Sequence, residues 1–159
     1  MKKLALITLL SLTVAAAQTA KGGDFKAGTS FSITGTAQDK TEVKHDLKLD
    51  SDGAVSDADD SMWEYLVVSK NGRNQFLEQS HGGKLLTYID YPANGSTDPT
   101  TVCIAQIADK NWKSVDGVLL RGDAADLLDL VNIADMGQFD LKGYGKLAAS
   151  QSVCTISRS

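Results

Sequence analysis

Two histidines, His45 and His81, are the side chains in this sequence best suited to bind a transition metal. Neutral imidazole binds copper and zinc, and an aspartate or the Met62 sulfur would complete such a site. His45 alternates with Val43 and Leu47, so it faces the apolar side of a strand, where a hydrogen-bonded core histidine is the simpler interpretation. If the two histidines met across a sheet, they would support a metal-dependent protective oxidoreductase resembling superoxide dismutase. A copper dismutase of the usual kind needs more histidines than this chain has.

Aspartates crowd residues 46–60, and carboxylate oxygens that converge from one loop are the ligands calcium prefers. The run Asp-Ser-Asp-Gly at 50–53 resembles part of an EF-hand loop. The match fails in register, because a glycine at loop position six puts position one at Lys48, and the closing glutamate is absent. A solvated hairpin turn explains the same residues. Calcium-stabilised surface assembly stays an alternative, with the candidate ligands Asp50, Asp52 and Asp57.

Four aromatic residues lie in the segment that is richest in strand-forming residues: Trp63, Tyr65, Tyr88 and Tyr91. Together they would form a contact surface for a partner protein, or line a cavity for a small apolar ligand in a barrel. They serve equally well as the core of a β-meander.

Motifs for catalysis are absent from the sequence. There is no Gly-x-Ser-x-Gly, no glycine-rich phosphate loop and no His-Glu-x-x-His. With 20 acidic residues along the chain, paired carboxylates could occur almost anywhere and do not discriminate between functions. The sequence therefore favours a non-enzymatic protein.

The two cysteines, Cys103 and Cys154, predict one disulfide, because an even count in an exported chain usually pairs. Such a bond would close a loop of about 52 residues and stabilise the fold by about 4 kcal/mol. Two buried free thiols or an intermolecular bridge are the alternatives.

Residues 1–17 have the pattern of a secretory signal peptide, with two lysines, an apolar stretch and three alanines. Without Lys2 and Lys3 the formal charge changes from −4 to −6. Such an acidic chain disfavours binding to nucleic acid or to an anionic membrane. We expect export to the periplasm, envelope or exterior, no transmembrane anchor in the mature chain, and an envelope protein, a surface protein or a small ligand as partner.

Alternation of apolar and polar residues predicts strands over most of the chain. Asn71-Gly72 favours a tight hairpin turn, and Gly82-Gly83 favours a second one, so 62–91 is predicted to be a three-stranded meander. Asp123 is a good N-cap for a helix over about 123–136. The predicted strands are 31–37, 41–50, 62–70, the return to 81, 85–91, 100–107, 115–121 and 147–157.

The elements together predict a mainly β fold, a small antiparallel β-barrel or sandwich of about eight strands with one late helix. Residues 18–30 are expected to be a flexible lead-in to a single domain at 31–159. The outline resembles lipocalin-like barrels in architecture only, since Phe31 to Ala37 lacks their Gly-x-Trp start. The expected function is an exported, non-enzymatic binding module.

Overall fold

The structure is a computed structural model that describes residues 24–55, 63–66, 72–93, 96–127 and 152–159. The predicted signal peptide, Asp57, Met62 and Asn71 lie outside these residues, as does the predicted helix beyond Leu127. The backbone of Trp63 is described, but its side chain is not.

The described residues form one antiparallel sheet of nine strands that curls into a half-barrel, which confirms the predicted fold class. Its order is β2-β1-β9-β8-β7-β6-β5-β4-β3. The short β3, which lies in the aspartate-rich segment, is the strand that the sequence analysis did not predict. The strands are β1 (Ser30–Thr36), β2 (Glu42–Lys48), β3 (Ala54–Val55), β4 (Trp63–Leu66), β5 (Arg73–Ser80), β6 (Leu85–Pro92), β7 (Thr100–Gln106), β8 (Ser114–Gly122) and β9 (Ser152–Arg158).

Period-two alternation decides which side chains face the inside of the half-barrel. In β2, Val43 and Leu47 are buried while the residues on either side of them are exposed. The register, with Ile33 of β1 opposite His45, puts the apolar residues of both strands on the same face. Large side chains fill this inner face, among them Ile33, Tyr65, Leu77, Leu86, Tyr88, Leu119 and Ile156.

A second apolar cluster lies on the opposite face of β6, β7 and β8. Ile89, Val102 and Val118 belong to it, and Leu127 packs against them from a helix that starts at residue 124. The Asp123 carboxylate accepts a hydrogen bond from the Ala125 N–H at 2.9 Å, as expected of an N-cap. Within the described residues, no helix is long and apolar enough to cross a membrane.

The predicted disulfide between Cys103 and Cys154 is present, joining β7 to β9 across the intervening β8. The two Cα atoms are 6.1 Å apart, whereas strands two positions apart in a flat sheet are separated by about 9.6 Å. The sheet is therefore sharply curved at β8. Gly117 permits this curvature, because a Cβ atom there would collide with the Ile104 carbonyl of β7.

The N-terminal segment 24–29 packs across one end of the half-barrel. The Phe25 side chain is buried, with its ring 5.1 Å from that of Phe31 and 5.3 Å from that of Tyr65. The Arg158 guanidinium lies 5.1 Å from the centre of the Trp112 ring beside it. Phe25, which lies within the predicted lead-in, therefore belongs to the core, whereas residues 24 and 26–28 are exposed.

Candidate functional site

Polar side chains gather at the other end of the inner face. They come from β2, β5 and β6: His45, Arg73, Gln75, Tyr88 and Asp90. The β5–β6 register pairs Gln75 with Asp90, so both side chains enter the same layer of the half-barrel. Curvature of the sheet then brings His45 of β2 against them.

Asp90 is the central residue of this cluster, with a side chain that is only 2% exposed. The Arg73 Nε donates to its Oδ1 at 2.7 Å, and the Arg73 Nη2 donates to its backbone oxygen at 3.2 Å. The same Nη2 also donates to the Pro99 carbonyl at 2.8 Å. Arg73 therefore compensates the buried carboxylate and fastens the loop that precedes β7.

The ring of His45 is held through both of its nitrogens. Its Nε2 lies 3.5 Å from the Asp90 Oδ2, and its Nδ1 lies 3.4 Å from the Gln75 Nε2. An amide nitrogen only donates, so Nδ1 accepts from Gln75 and the ring proton resides on Nε2, facing Asp90. The Gln75 amide also donates to the Tyr88 hydroxyl at 3.1 Å, which completes the chain of contacts.

Burial lowers the pKa of His45 below its ordinary value of 6.5, because the charged form loses hydration. The Asp90 carboxylate opposes that shift, and the Arg73 guanidinium reinforces it. Burial likewise raises the pKa of the Tyr88 hydroxyl, and the neighbouring Asp90 adds to the rise. At neutral pH the cluster therefore contains one ion pair and two neutral rings.

A groove of about 320 Å³ opens above this cluster. Its charged lining has both signs, and an ion pair between Arg121 and Asp39 lies at one side. Thr41 and Asp98 lie on its rim and are exposed, whereas Asp90 forms part of its floor. The charged residues that line it are Glu42, Lys44, Arg73, Asp90, Asp98 and Arg121, and the neutral ring of His45 lies among them.

Among the described residues, the cluster lies at the bottom of the groove, where a ligand can approach it. The His45 Nδ1 lies within hydrogen-bond distance of Gln75, and its Nε2 lies 3.5 Å from the Asp90 carboxylate. Asp90 is likewise committed to Arg73. What remains available to a ligand is the charged groove over these side chains.

A second polar network lies at the end closed by Phe25. The Tyr65 hydroxyl donates to the Gln79 Oε1 at 3.1 Å and accepts from the Phe25 N–H at 3.3 Å. The Gln79 amide in turn donates to the Asp24 carboxylate at 2.8 Å. Burial raises the pKa of Tyr65 to about 12. This network is sealed by the N-terminal segment and serves the fold.

The structure does not bring the two histidines together. His81 is exposed in a 3-10 turn, His81–Gly83, that follows β5. It lies six residues beyond Gln75, the β5 residue that His45 contacts, which corresponds to roughly 20 Å along a strand. Among the described residues, no three His, Cys, Asp or Glu side chains are placed to hold a metal ion.

Of the aspartates predicted to bind calcium, Asp52 is engaged by the segment that contains Phe25. The Asp52 carboxylate accepts from the Ala27 N–H at 2.8 Å and from the Lys26 ammonium at 3.3 Å, which ties the N-terminal segment to this loop. These donors hold the pKa of Asp52 below its usual range. Asp50 is an exposed neighbour of the buried Leu49, and Asp57 lies outside the described residues.

The four aromatic residues do not share one surface. Tyr65 and Tyr88 are fully buried on the inner face. Tyr91 lies on the opposite face, where its ring stacks on Phe76 with centroids 5.7 Å apart. The structure does not describe the side chain of Trp63. Whether any of them contacts a ligand stays a prediction.

Sequence reasoning did not single out Asp90, Arg73 or Gln75. One signal was available, because Asp90 is a lone charge within the strand Leu-Leu-Thr-Tyr-Ile-Asp-Tyr-Pro. A charge in such a strand requires a partner if it is buried. The identity of that partner depends on how the sheet curls, which periodicity does not reveal.

No family model matches this chain, and searches of curated proteins and of solved structures likewise find no match.

Proposed function

We propose that this protein is an exported, non-enzymatic binding module that recognises a partner protein through the charged groove above Asp90. The observation that carries the proposal is the contrast between a filled interior and an open, charged end. The disulfide is compatible with an exported protein, and the acidic composition disfavours nucleic acid as the partner.

The filled inner face favours a protein over a small apolar ligand. Tyr65, Tyr88 and Leu86 are completely buried in the positions that an apolar guest would take. A guest inside the half-barrel would have to displace them, at the cost of native packing. The groove, in contrast, is reached without moving the core.

The groove offers the features of a polar contact surface. Its lining includes the cations Lys44 and Arg121 and the anions Glu42 and Asp98, so a peptide segment carrying charges of both signs would find complementary groups. Such complementarity gives specificity and orientation more than raw affinity. The buried Arg73–Asp90 ion pair holds part of its floor in place, which lowers the entropic cost of binding.

Site-specific photo-crosslinking in the producing cell tests this function. A benzophenone side chain at Thr41, on the groove rim, is expected to form an adduct with a protein of different mass. The Asp98→Lys variant should reduce that adduct several-fold, because it reverses a charge in the groove.

The matched control places the same crosslinker at Lys110, an exposed residue in the turn before β8 at the other end of the half-barrel. Equal adducts from both positions would contradict the proposal, as would an adduct that Asp98→Lys leaves unchanged. An adduct of twice the chain mass alone, with no adduct of another mass, identifies a second copy instead of a partner protein.

A further inference from the structure

The outer edge of β2 carries an ordered pattern of charge. Strand β2 is the last strand on its side of the sheet, and within the described residues it pairs with β1 alone. Its exposed side chains alternate in sign along the strand: Glu42, Lys44, Asp46 and Lys48. None of the ion pairs found among the described residues involves these four charges.

The backbone of the same four residues points to the open edge. The Ala37 N–H donates to the Thr41 carbonyl, and the Leu49 N–H donates to the Thr29 carbonyl, both at 2.9 Å. In an antiparallel ladder the residues that bond to a given neighbour recur at every second position. Val43, His45 and Leu47 therefore bond to β1, and the even-numbered residues direct their N–H and C=O groups outward.

We infer that β2 is a self-recognition edge, at which two copies of this chain pair antiparallel about a two-fold axis at His45. In this register Lys44 lies opposite the second copy's Asp46, and Glu42 lies opposite the second copy's Lys48. All four cross-strand pairs then join opposite charges. The outward backbone groups meet as hydrogen-bonded pairs, and the two sheets become one continuous sheet.

Charge selects this register over its neighbours. A shift of two residues in one direction places Lys44 opposite the second copy's Lys44, and Glu42 opposite the second copy's Asp46, so like charges meet. A shift of two residues in the other direction places Asp46 opposite the second copy's Asp46, and Lys44 opposite the second copy's Lys48, so like charges meet again. Parallel pairing in register would place each residue opposite the same residue of the second copy, so like charges would meet. An antiparallel shift of one residue would place the outward backbone groups of one copy opposite residues whose own backbone groups bond to β1.

The same charge pattern disfavours pairing of β2 with strands of unrelated proteins. Charged residues, lysine above all, are a common device for keeping exposed edge strands from pairing indiscriminately. Here the alternation keeps that protection against unrelated strands, while a second copy presents the complementary sequence of charges. A two-fold contact of this kind is self-complementary and closes after two subunits.

Sedimentation equilibrium of the purified, oxidised full chain at low salt tests the inference. We expect a monomer–dimer equilibrium over about 1–200 μM, weakened by added salt. The all-acidic variant Lys44→Glu/Lys48→Glu and the all-basic variant Glu42→Lys/Asp46→Lys should each dimerise at least about tenfold more weakly, because every cross-strand pair becomes repulsive.

Mixing the two variants is the decisive step, since an acidic β2 opposite a basic β2 restores four attractive pairs. We expect a heterodimer at concentrations where each variant alone is monomeric. The swap variant Lys44→Asp/Asp46→Lys, which keeps these two pairs attractive with their signs exchanged, is the matched control and should retain dimerisation. Circular dichroism melting checks that every variant is folded.

A wild-type chain that stays monomeric over the whole concentration range would overturn the inference. Variants that dimerise as well as the wild type would do the same, and a mixture that stays monomeric would overturn pairing through the β2 charges. A swap variant that fails to dimerise although it is folded would overturn the antiparallel register. These measurements contain no other protein, so they test pairing of β2 without the groove partner. In the proposed dimer Thr41 lies opposite the second copy's Leu49, so a crosslinker at Thr41 should also give an adduct of twice the chain mass, beside the adduct with a partner protein.

Discussion

At the scale of single residues, Asp90 organises the open end of the half-barrel. Its carboxylate is nearly inaccessible to solvent, yet it contacts side chains from two other strands, Arg73 of β5 and His45 of β2. A buried charge is tolerated only with compensation of this kind. The geometry of the groove floor therefore depends on the balance among these three groups.

Removal of Arg73 should expose that dependence. Arg73→Met leaves the Asp90 carboxylate buried without its cation, and we expect a loss of about 3–5 kcal/mol in the free energy of unfolding, measured in urea. Because the guanidinium lowers the pKa of His45, the same variant should raise that pKa, seen by NMR of the imidazole protons.

The double variant Arg73→Met/Asp90→Asn serves as the control for this prediction. Without the buried charge, much of the lost stability should return. If the double variant is no more stable than Arg73→Met, the buried carboxylate is not the cause of the loss.

The lowered pKa of His45 predicts a dependence of stability on pH. The unfolded chain binds a proton near pH 6.5, whereas the folded protein resists it until a lower pH. The stabilisation is therefore complete above pH 6.5 and is lost as the pH falls through the folded-state pKa. The slope contributed by one such group is at most about 1.4 kcal/mol per pH unit.

Urea unfolding of wild type and His45→Gln at about pH 7.5 and 5 measures this contribution. Gln keeps a hydrogen-bonding side chain but does not titrate, so the free energy of unfolding of the variant should fall less on acidification than that of the wild type. Asp90, Arg73 and Asp46 are the charges that act on His45, and they remain in both proteins. Identical pH dependence in both would mean that His45 is not the responsible group.

At the scale of elements, the curvature of β8 depends on Gly117. A Cβ there meets the backbone of Ile104, which has no freedom to move within the ladder. We expect Gly117→Ala to lower the free energy of unfolding by about 1–3 kcal/mol.

Gly122, in the same strand, is the matched control, because a Cβ there has no neighbour within 4 Å. Gly122→Ala should change the free energy of unfolding by no more than about 0.5 kcal/mol. Denaturant titrations that find similar losses for both variants would refute the argument from close packing.

Most strands were predictable from the sequence because each signal is local. Alternation of Val43, His45 and Leu47 with exposed charges predicts β2 as the structure has it. The segment that contains the two-residue β3 is dominated by its aspartates, so it carries no periodic signal. Contacts such as that of His45 with Asp90 join distant parts of the chain, and their geometry follows from sheet curvature.

The burial of Phe25 illustrates the same limit. A polar, glycine-rich composition predicts a flexible segment at 18–30, and the single aromatic residue in it gives no local pattern. Its partners Tyr65 and Trp112 lie far along the chain, so only the assembled half-barrel provides the site that receives it.

At the scale of the whole molecule, the disulfide ties the C-terminal strand to the middle of the sheet. Cys103 and Cys154 are separated by 51 residues, and the bond restricts the unfolded chain accordingly. We expect Cys103→Ala/Cys154→Ala to lower the free energy of unfolding by about 4 kcal/mol. Wild type in reducing agent should behave similarly, and an unchanged midpoint in both would contradict the prediction.

The pairing of β1 with β9 has a consequence for the time course of folding. The first described strand forms its ladder with the last one, with Ile33 opposite Ile156, and Phe25 packs beside Arg158. Contacts between such distant parts of a chain form late and make folding slow. A chain that emerges from a ribosome or a translocation pore with its N-terminus first must hold β1 unpaired on one side until β9 has emerged. The sheet is therefore completed only after β9 has emerged, and the early strands need protection from aggregation in the meantime.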